Sequence, residues 1–170
     1  YGMLYLGKGS TASDGTAEVD FSGTSVIQYA SVADTAGGMY FRESSSDDLT
    51  SLKVKTAFND FDGLSRKSRL RYDLPTFYGI GLSASAISDR RWDTALRWSG
   101  SGNGFKVGTA AAIAYINESD SNYQYDGSFS VLHEDSSLNL TFSAGGQDVD
   151  NSDDPYNIYG KLGWQTQFCP

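Results

Sequence analysis

Between residues 67 and 88 the chain reads KSRLRYDLPTFYGIGLSASAIS. Ser68, Leu70, Tyr72 and Leu74 share one parity, and Lys67, Arg69, Arg71 and Asp73 share the other. Pro75 breaks the register. Beyond it Tyr78, Ile80, Leu82, Ala84 and Ala86 alternate with Gly79, Gly81, Ser83 and Ser85. Successive side chains of a strand point to opposite faces. The segment is therefore a long hairpin with one apolar face and one face that is charged or nearly bare. The pattern recurs to the end of the chain, as expected for the wall of a water-filled pore in a membrane.

Period-2 alternation marks eight strands, at residues 2–8, 66–74, 77–88, 91–98, 105–116, 122–133, 138–147 and 156–168. Most run eight to thirteen residues. Globular strands average about five or six, and a tilted membrane strand needs roughly nine to eleven. The connections fall into two alternating sets. One holds Asp89-Arg90 and the acidic stretches 117–121 and 148–155; the other holds the turns at 74–76, 99–104 and 134–137. Aromatic residues gather at both strand ends, Trp92, Tyr115, Tyr123 and Tyr156 by the acidic set and Tyr72, Tyr78, Trp98, Phe105, Trp164 and Phe168 by the other. Two such belts around an apolar band suit rings at both membrane–water interfaces. A soluble antiparallel sandwich also alternates, but Ala84, Ala86 and Ala111 would fill a packed interior thinly.

Composition narrows the function. The 170 residues suffice for one domain. Thirteen Lys and Arg against 21 Asp and Glu give a net charge of −8, which argues against a nucleic-acid partner. No run of ~18 apolar residues exists, so no transmembrane helix is expected, which leaves barrel strands open. The chain begins at Tyr1 without Met or a leader, as a processed chain or a fragment would. The single cysteine, Cys169, excludes an internal disulfide and a Cys cluster for metal.

The run FDGLSRKSRLRYDLPTFYGIGLSAS, residues 61–85, resembles the general diffusion porins of Gram-negative outer membranes, whose hallmark is an R-Y-D-x-P-x-F-x-G strand–turn–strand directly after the constriction loop. YGMLYLGKG at 1–9 looks like the strand feeding that loop, and DTALRWSG at 93–100 with FKVGTAAAIAY at 105–115 looks like the next hairpin. The resemblance spans nearly the whole chain and is looser after residue 117. It implies an all-β fold, an antiparallel up-and-down transmembrane barrel of sixteen strands, of which residues 1–170 supply about eight as a single partial barrel domain. Residues 9–65 would be the constriction loop folded into the lumen. The implied function is passive diffusion of small hydrophilic solutes and ions across the outer membrane, by a homotrimer set among lipid and lipopolysaccharide. The ending Cys169-Pro170 departs from the family pattern. Eight strands alone would make a barrel filled by side chains, with no room for such a loop, and an isolated piece would leave two open edges that hydrocarbon cannot satisfy. The piece alone is not expected to insert stably or conduct.

Lys67, Arg69, Arg71, Arg91, Arg97 and Lys106 all lie on the non-apolar parity. An Arg or Lys facing lipid near the midplane costs ~2–4 kcal/mol, so these six are expected to face water. Asp14, Glu18, Asp20 and Asp34 of the loop are expected to oppose Arg69 and Arg71 at the constriction, a transverse field that sets ion preference while loop bulk sets the size cutoff. Lys67, Asp73, Arg91, Asp93, Arg97 and Lys106 are expected to line the pore. No catalytic residue, cofactor or metal site is expected: His133 is the only histidine, so no nucleophile–base pair can be assembled. The acids Asp148, Asp150, Asp153 and Asp154 lack the Gly and Glu of a calcium loop. A short helix is expected within 24–33. Two other readings stand: a soluble β-rich carbohydrate-binding module using its tyrosines, and a substrate-selective channel of the same fold, with Tyr159 an inward exception to the outward aromatics.

Overall fold

Eight of these expected strands form one antiparallel sheet in the computed structural model, which describes residues 1–118 and 121–165. In chain order the elements are β1 (Met3–Ser10), α1 (Val32–Ala36), β2 (Tyr40–Arg42), β3 (Leu49–Lys53), α2 (Val54–Ala57), β4 (Arg66–Asp73), β5 (Ile80–Ile87), β6 (Trp92–Gly102), β7 (Phe105–Glu118), β8 (Ser121–His133), β9 (Leu138–Val149) and β10 (Tyr156–Trp164). The sheet order is β1-β4-β5-β6-β7-β8-β9-β10, so the strands from β4 onward form an up-and-down meander. β1 joins β4 across the long connection, and β2 and β3 make a small hairpin within it. The sheet is open, with β1 and β10 at its edges. The connection at 117–121 lies partly, and Phe168, Cys169 and Pro170 wholly, outside the described residues.

Turn chemistry sets the register. Asn103 and Gly104, with φ of 52° and 77°, close β6 onto β7 in a two-residue turn. Positive φ at both central residues matches the twist of the flanking strands, and Asn-Gly adopts it readily. Gly102 therefore pairs with Phe105, and β6 runs four residues past Trp98, through what reads in sequence as a six-residue turn. Asp89 and Arg90, with φ of 64° and 60°, turn β5 into β6. The helix also differs from expectation: Ile27 and Gln28 both donate to the Thr24 carbonyl, a single turn that does not continue, and the helix forms at Val32–Ala36. Val26 and Ile27 are exposed, so no packing face extends the first turn.

The two faces of the sheet are inverted relative to a water-soluble sheet. Leu70, Tyr72, Leu82, Leu96, Trp98, Phe129, Leu140, Phe142, Ile158, Leu162 and Trp164 are exposed on one face. On the other, Ser83, Ser85, Asp93, Asp126, Ser128, Ser130, Asn139, Thr141 and Ser143 are buried. The cover is the connection between β1 and β4. Soluble monomers rarely expose a contiguous apolar patch beyond a few hundred Å², and here such residues span the sheet from β4 to β10. Ring rows cross this face: Trp92, Tyr115 and Tyr123 are paired in register, with centroids 6.3 and 5.4 Å apart.

Small residues on the inner face form the trough in which the connection lies. A Cβ at Gly108 would stand 2.7 Å from Phe21, and one at Gly145 would stand 2.9 Å from the Asp60 carbonyl oxygen and from Phe61 Cβ. Ala95, Ala110 and Ala114 are buried beside them. The one buried apolar cluster among the described residues is small: Leu64 from the connection sits on Ile87, Ala114 and Ile116. Hydrogen bonds, rather than a greasy core, hold the connection to the sheet.

Candidate functional site

The connection, residues 11–65, has an outgoing limb that crosses the inner face from β1 toward β10. At its start Asp93 is 1 % exposed and accepts from the Ala12 and Ser13 amides, at 3.2 and 3.0 Å, and from Ser13 Oγ at 2.5 Å. Ser85 Oγ accepts from the Ala12 amide at 2.7 Å. Farther along, Ser128 Oγ donates to the Thr16 carbonyl at 2.5 Å and accepts from the Val19 amide at 3.0 Å. Ser130 Oγ accepts from the Phe21 amide at 2.9 Å. At the far edge Lys161 Nζ meets Asp20 Oδ2 at 2.9 Å, Ser22 Oγ at 2.7 Å and the Gln28 carbonyl at 2.7 Å. The returning limb locks onto the outgoing one: Asp62 accepts from the Gly15 and Ala17 amides at 2.8 and 2.9 Å. Gln124 Nε2 donates to the Phe61 and Gly63 carbonyls.

The arginines expected at the constriction do lie on this face, but they grip backbone. Arg69 donates to the Ser10 and Gly7 carbonyls, each at 2.9 Å. Arg71 donates to the Thr11 carbonyl at 2.7 Å and holds Asp73 through two bonds, at 2.6 and 3.0 Å. Arg97 donates to the Asp14 carbonyl at 2.8 Å. Of the other expected lining residues, Lys67 and Arg91 border a cleft beside Leu64, and Arg91 also pairs with Asp89 at 2.9 Å. Lys106 is exposed, with its Nζ 4.6 Å from the Phe21 ring centre. Asp93 lies beneath the connection rather than at an open lining, because three donors of the connection converge on it.

The acids of the connection divide. Asp20 does not oppose Arg71: the limb carries it across the sheet to Lys161. Asp14, Glu18 and Asp34 come together, and Asp60 and Asp62 join them around a cavity of about 430 Å³ with Tyr29 and Gln124. Burial first, then the charges of Asp62, Asp60, Asp34 and Asp14, push the Glu18 carboxyl up to about 8. Burial also raises Asp60 and Asp62 above their ordinary 3.8. Tyr29 donates to Asp34, and burial together with that bond raises its hydroxyl too.

Sequence reading missed Asp60, Asp62, Gln124 and Lys161. Lys161 was within reach, since it shares the parity of Tyr159 and so points inward with it. Asp60 and Asp62 carried no periodic signal. Among the described residues no group of three or more His, Cys, Asp or Glu side chains has the geometry to hold a metal ion. His133 is a turn residue bonded to Ser136 Oγ at 2.7 Å.

No protein-family model matches this sequence, and no curated protein or solved structure matches it either.

Proposed function

We propose that this chain forms part of the wall and the constriction loop of an outer-membrane diffusion pore for small polar solutes and ions. The observation that carries the reading is the inversion of the sheet: bulky apolar side chains face outward across it, and hydroxyls, carboxylates and guanidiniums face a segment laid along the inside. Burying the apolar face in hydrocarbon at about 25 cal/mol per Å² makes this arrangement favourable, whereas water would oppose it. The open edges at β1 and β10 agree with a barrel completed by further strands, because hydrocarbon leaves no edge unpaired.

In this reading the inner surface carries two charged zones. Arg69 and Arg97, with Arg71 paired to Asp73 between them, form a basic row along β4 and β6, and Asp14, Glu18, Asp34, Asp60 and Asp62 form an acidic recess in the loop. Such zones bias which ions pass, and the loop sets the width. No bond in the transported solute needs to change, so the chain is read as a channel and not an enzyme.

Single-channel recording in planar bilayers tests the proposal, using the full-length protein that carries the barrel's remaining strands, refolded in detergent. Ohmic steps in groups of three, with cation preference increased by Arg71→Ala, support a trimeric pore. A monomer that stays soluble without detergent and gives no steps would replace it with the soluble sugar-binding reading.

A further inference from the structure

A second cavity, about 420 Å³, lies between the outgoing limb and strands β4 to β7. Its wall on the loop side is Val19 and Phe21, and its polar side holds Arg71, Asp73 and Arg97. We propose that it binds a small monoanion with an apolar body, an aryl or alkyl carboxylate, which the pore would then admit in preference to neutral solutes of its size. The inference rests on the pore reading for its physiological meaning, but not for the binding itself.

Charge selects the head group. Arg71 is committed to Asp73 in a two-bond pair, so these two charges cancel. Arg97 has no carboxylate within ion-pair distance among the described residues. It donates to the Asp14 carbonyl and, at 3.3 Å, to Ser83 Oγ. A guanidinium carries five donors in a planar fork matched to a carboxylate, so donors remain for a guest. The cavity lining therefore carries one uncompensated positive charge, that of Arg97.

Shape selects the body. Val19 and Phe21 offer apolar surface opposite that charge, and the volume falls in the range of roughly 300–1,000 Å³ typical of small-molecule sites. Gly81 keeps the space open. It pairs with Arg97 across β5 and β6, and an added Cβ would meet only Thr76 Oγ1, at 3.9 Å. A larger side chain at 81 would therefore fill the cavity without disturbing the backbone.

Isothermal titration of the detergent-folded protein with benzoate, and with benzyl alcohol as its uncharged counterpart, tests this. Benzoate is expected to bind at least about tenfold more tightly, the ratio that one charge-assisted hydrogen bond supplies. Gly81→Leu should abolish binding of both, and Arg97→Met should bring benzoate down to the level of the alcohol. Equal affinity for the two probes, absence of a saturable benzoate heat, or benzoate binding that survives Gly81→Leu would overturn the assignment. Bilayer conductance and benzoate titration of the full-length protein that carries the barrel's remaining strands separate the two ideas. Conductance without benzoate binding removes the cavity site alone, and binding without conductance removes the pore alone.

Discussion

Lys161 Nζ lies 2.9 Å from Asp20 Oδ2, joining the last strand to a loop residue 141 positions earlier. The Asp20 side chain is 2 % exposed and that of Lys161 14 %. Removing one partner of so buried a pair leaves an uncompensated charge, at a cost of ~3–5 kcal/mol. Asp20→Asn and Lys161→Met are each expected to release the outgoing limb, seen as protease cleavage near residues 20–28 that the parent protein resists. Cleavage no faster than in the parent would show that the pair does not hold the limb.

The same pair gives an acid limit. Burial opposes the Asp20 charge, but hydrogen bonds from Lys161 and Ser22 outweigh it and hold the carboxyl below its ordinary 3.8. A depressed carboxyl contributes stability that is complete above the ordinary value and is lost as pH falls through the lowered one. Loop attachment at β10 should therefore persist at pH 5 and weaken below about 4, measured by amide exchange at Phe21 and Ser22 after correction for the intrinsic rate. Protection that stays constant down to pH 2 would contradict it.

Glu18 carries the opposite sign. Its carboxyl, raised by burial and by four neighbouring acids to about 8, favours the protonated form in the folded loop at neutral pH. A raised carboxyl destabilises the folded form progressively as pH rises from the ordinary 4.5 through the raised value. Amide protection at Gly15 and Ala17 should fall as pH passes through about 8, and Glu18→Gln should flatten that change. An equal fall in the Gln variant would assign the effect to another group.

The trough predicts unequal glycines. Gly145→Ala brings a methyl to 2.9 Å from the Asp60 carbonyl oxygen, whereas Gly160→Ala meets nothing within 4 Å. Overpacking of this kind costs typically ~1–3 kcal/mol. Gly145→Ala should therefore lower the urea midpoint of the refolded protein while Gly160→Ala leaves it unchanged. Equal midpoints would mean that the loop does not press on β9.

What was legible in the sequence was whatever repeats with period two. Leu70 against Arg71, and Leu82 against Ser83, identify both the strands and their faces, and the Gly- and Ser-rich stretch 99–104 identifies a connection, though not that Asn103-Gly104 alone makes the turn. The loop's path was not legible, because it depends on contacts between Ser13 and Asp93, Thr16 and Ser128, and Asp20 and Lys161, which lie 80, 112 and 141 positions apart. Gly145 and Gly108 read only as a bare face, although that bareness is what seats Phe61 and Phe21. Pairing Arg71 with loop acids assumed opposite charges would meet directly. In the structure Asp73, two residues along the same strand, takes Arg71 instead.

The three tryptophans, Trp92, Trp98 and Trp164, all stand exposed on the apolar face, so they report its surroundings without added labels. The most direct measurement is fluorescence quenching of the chain, reconstituted with the further strands that the proposed barrel needs, in liposomes whose phosphatidylcholine acyl chains carry bromine close to the headgroup, with each of these tryptophans in turn kept as the only one. All three should be quenched by the brominated lipid and little affected by aqueous iodide. Tryptophans that respond to iodide and ignore bromine would place this face in water and remove the basis for a pore.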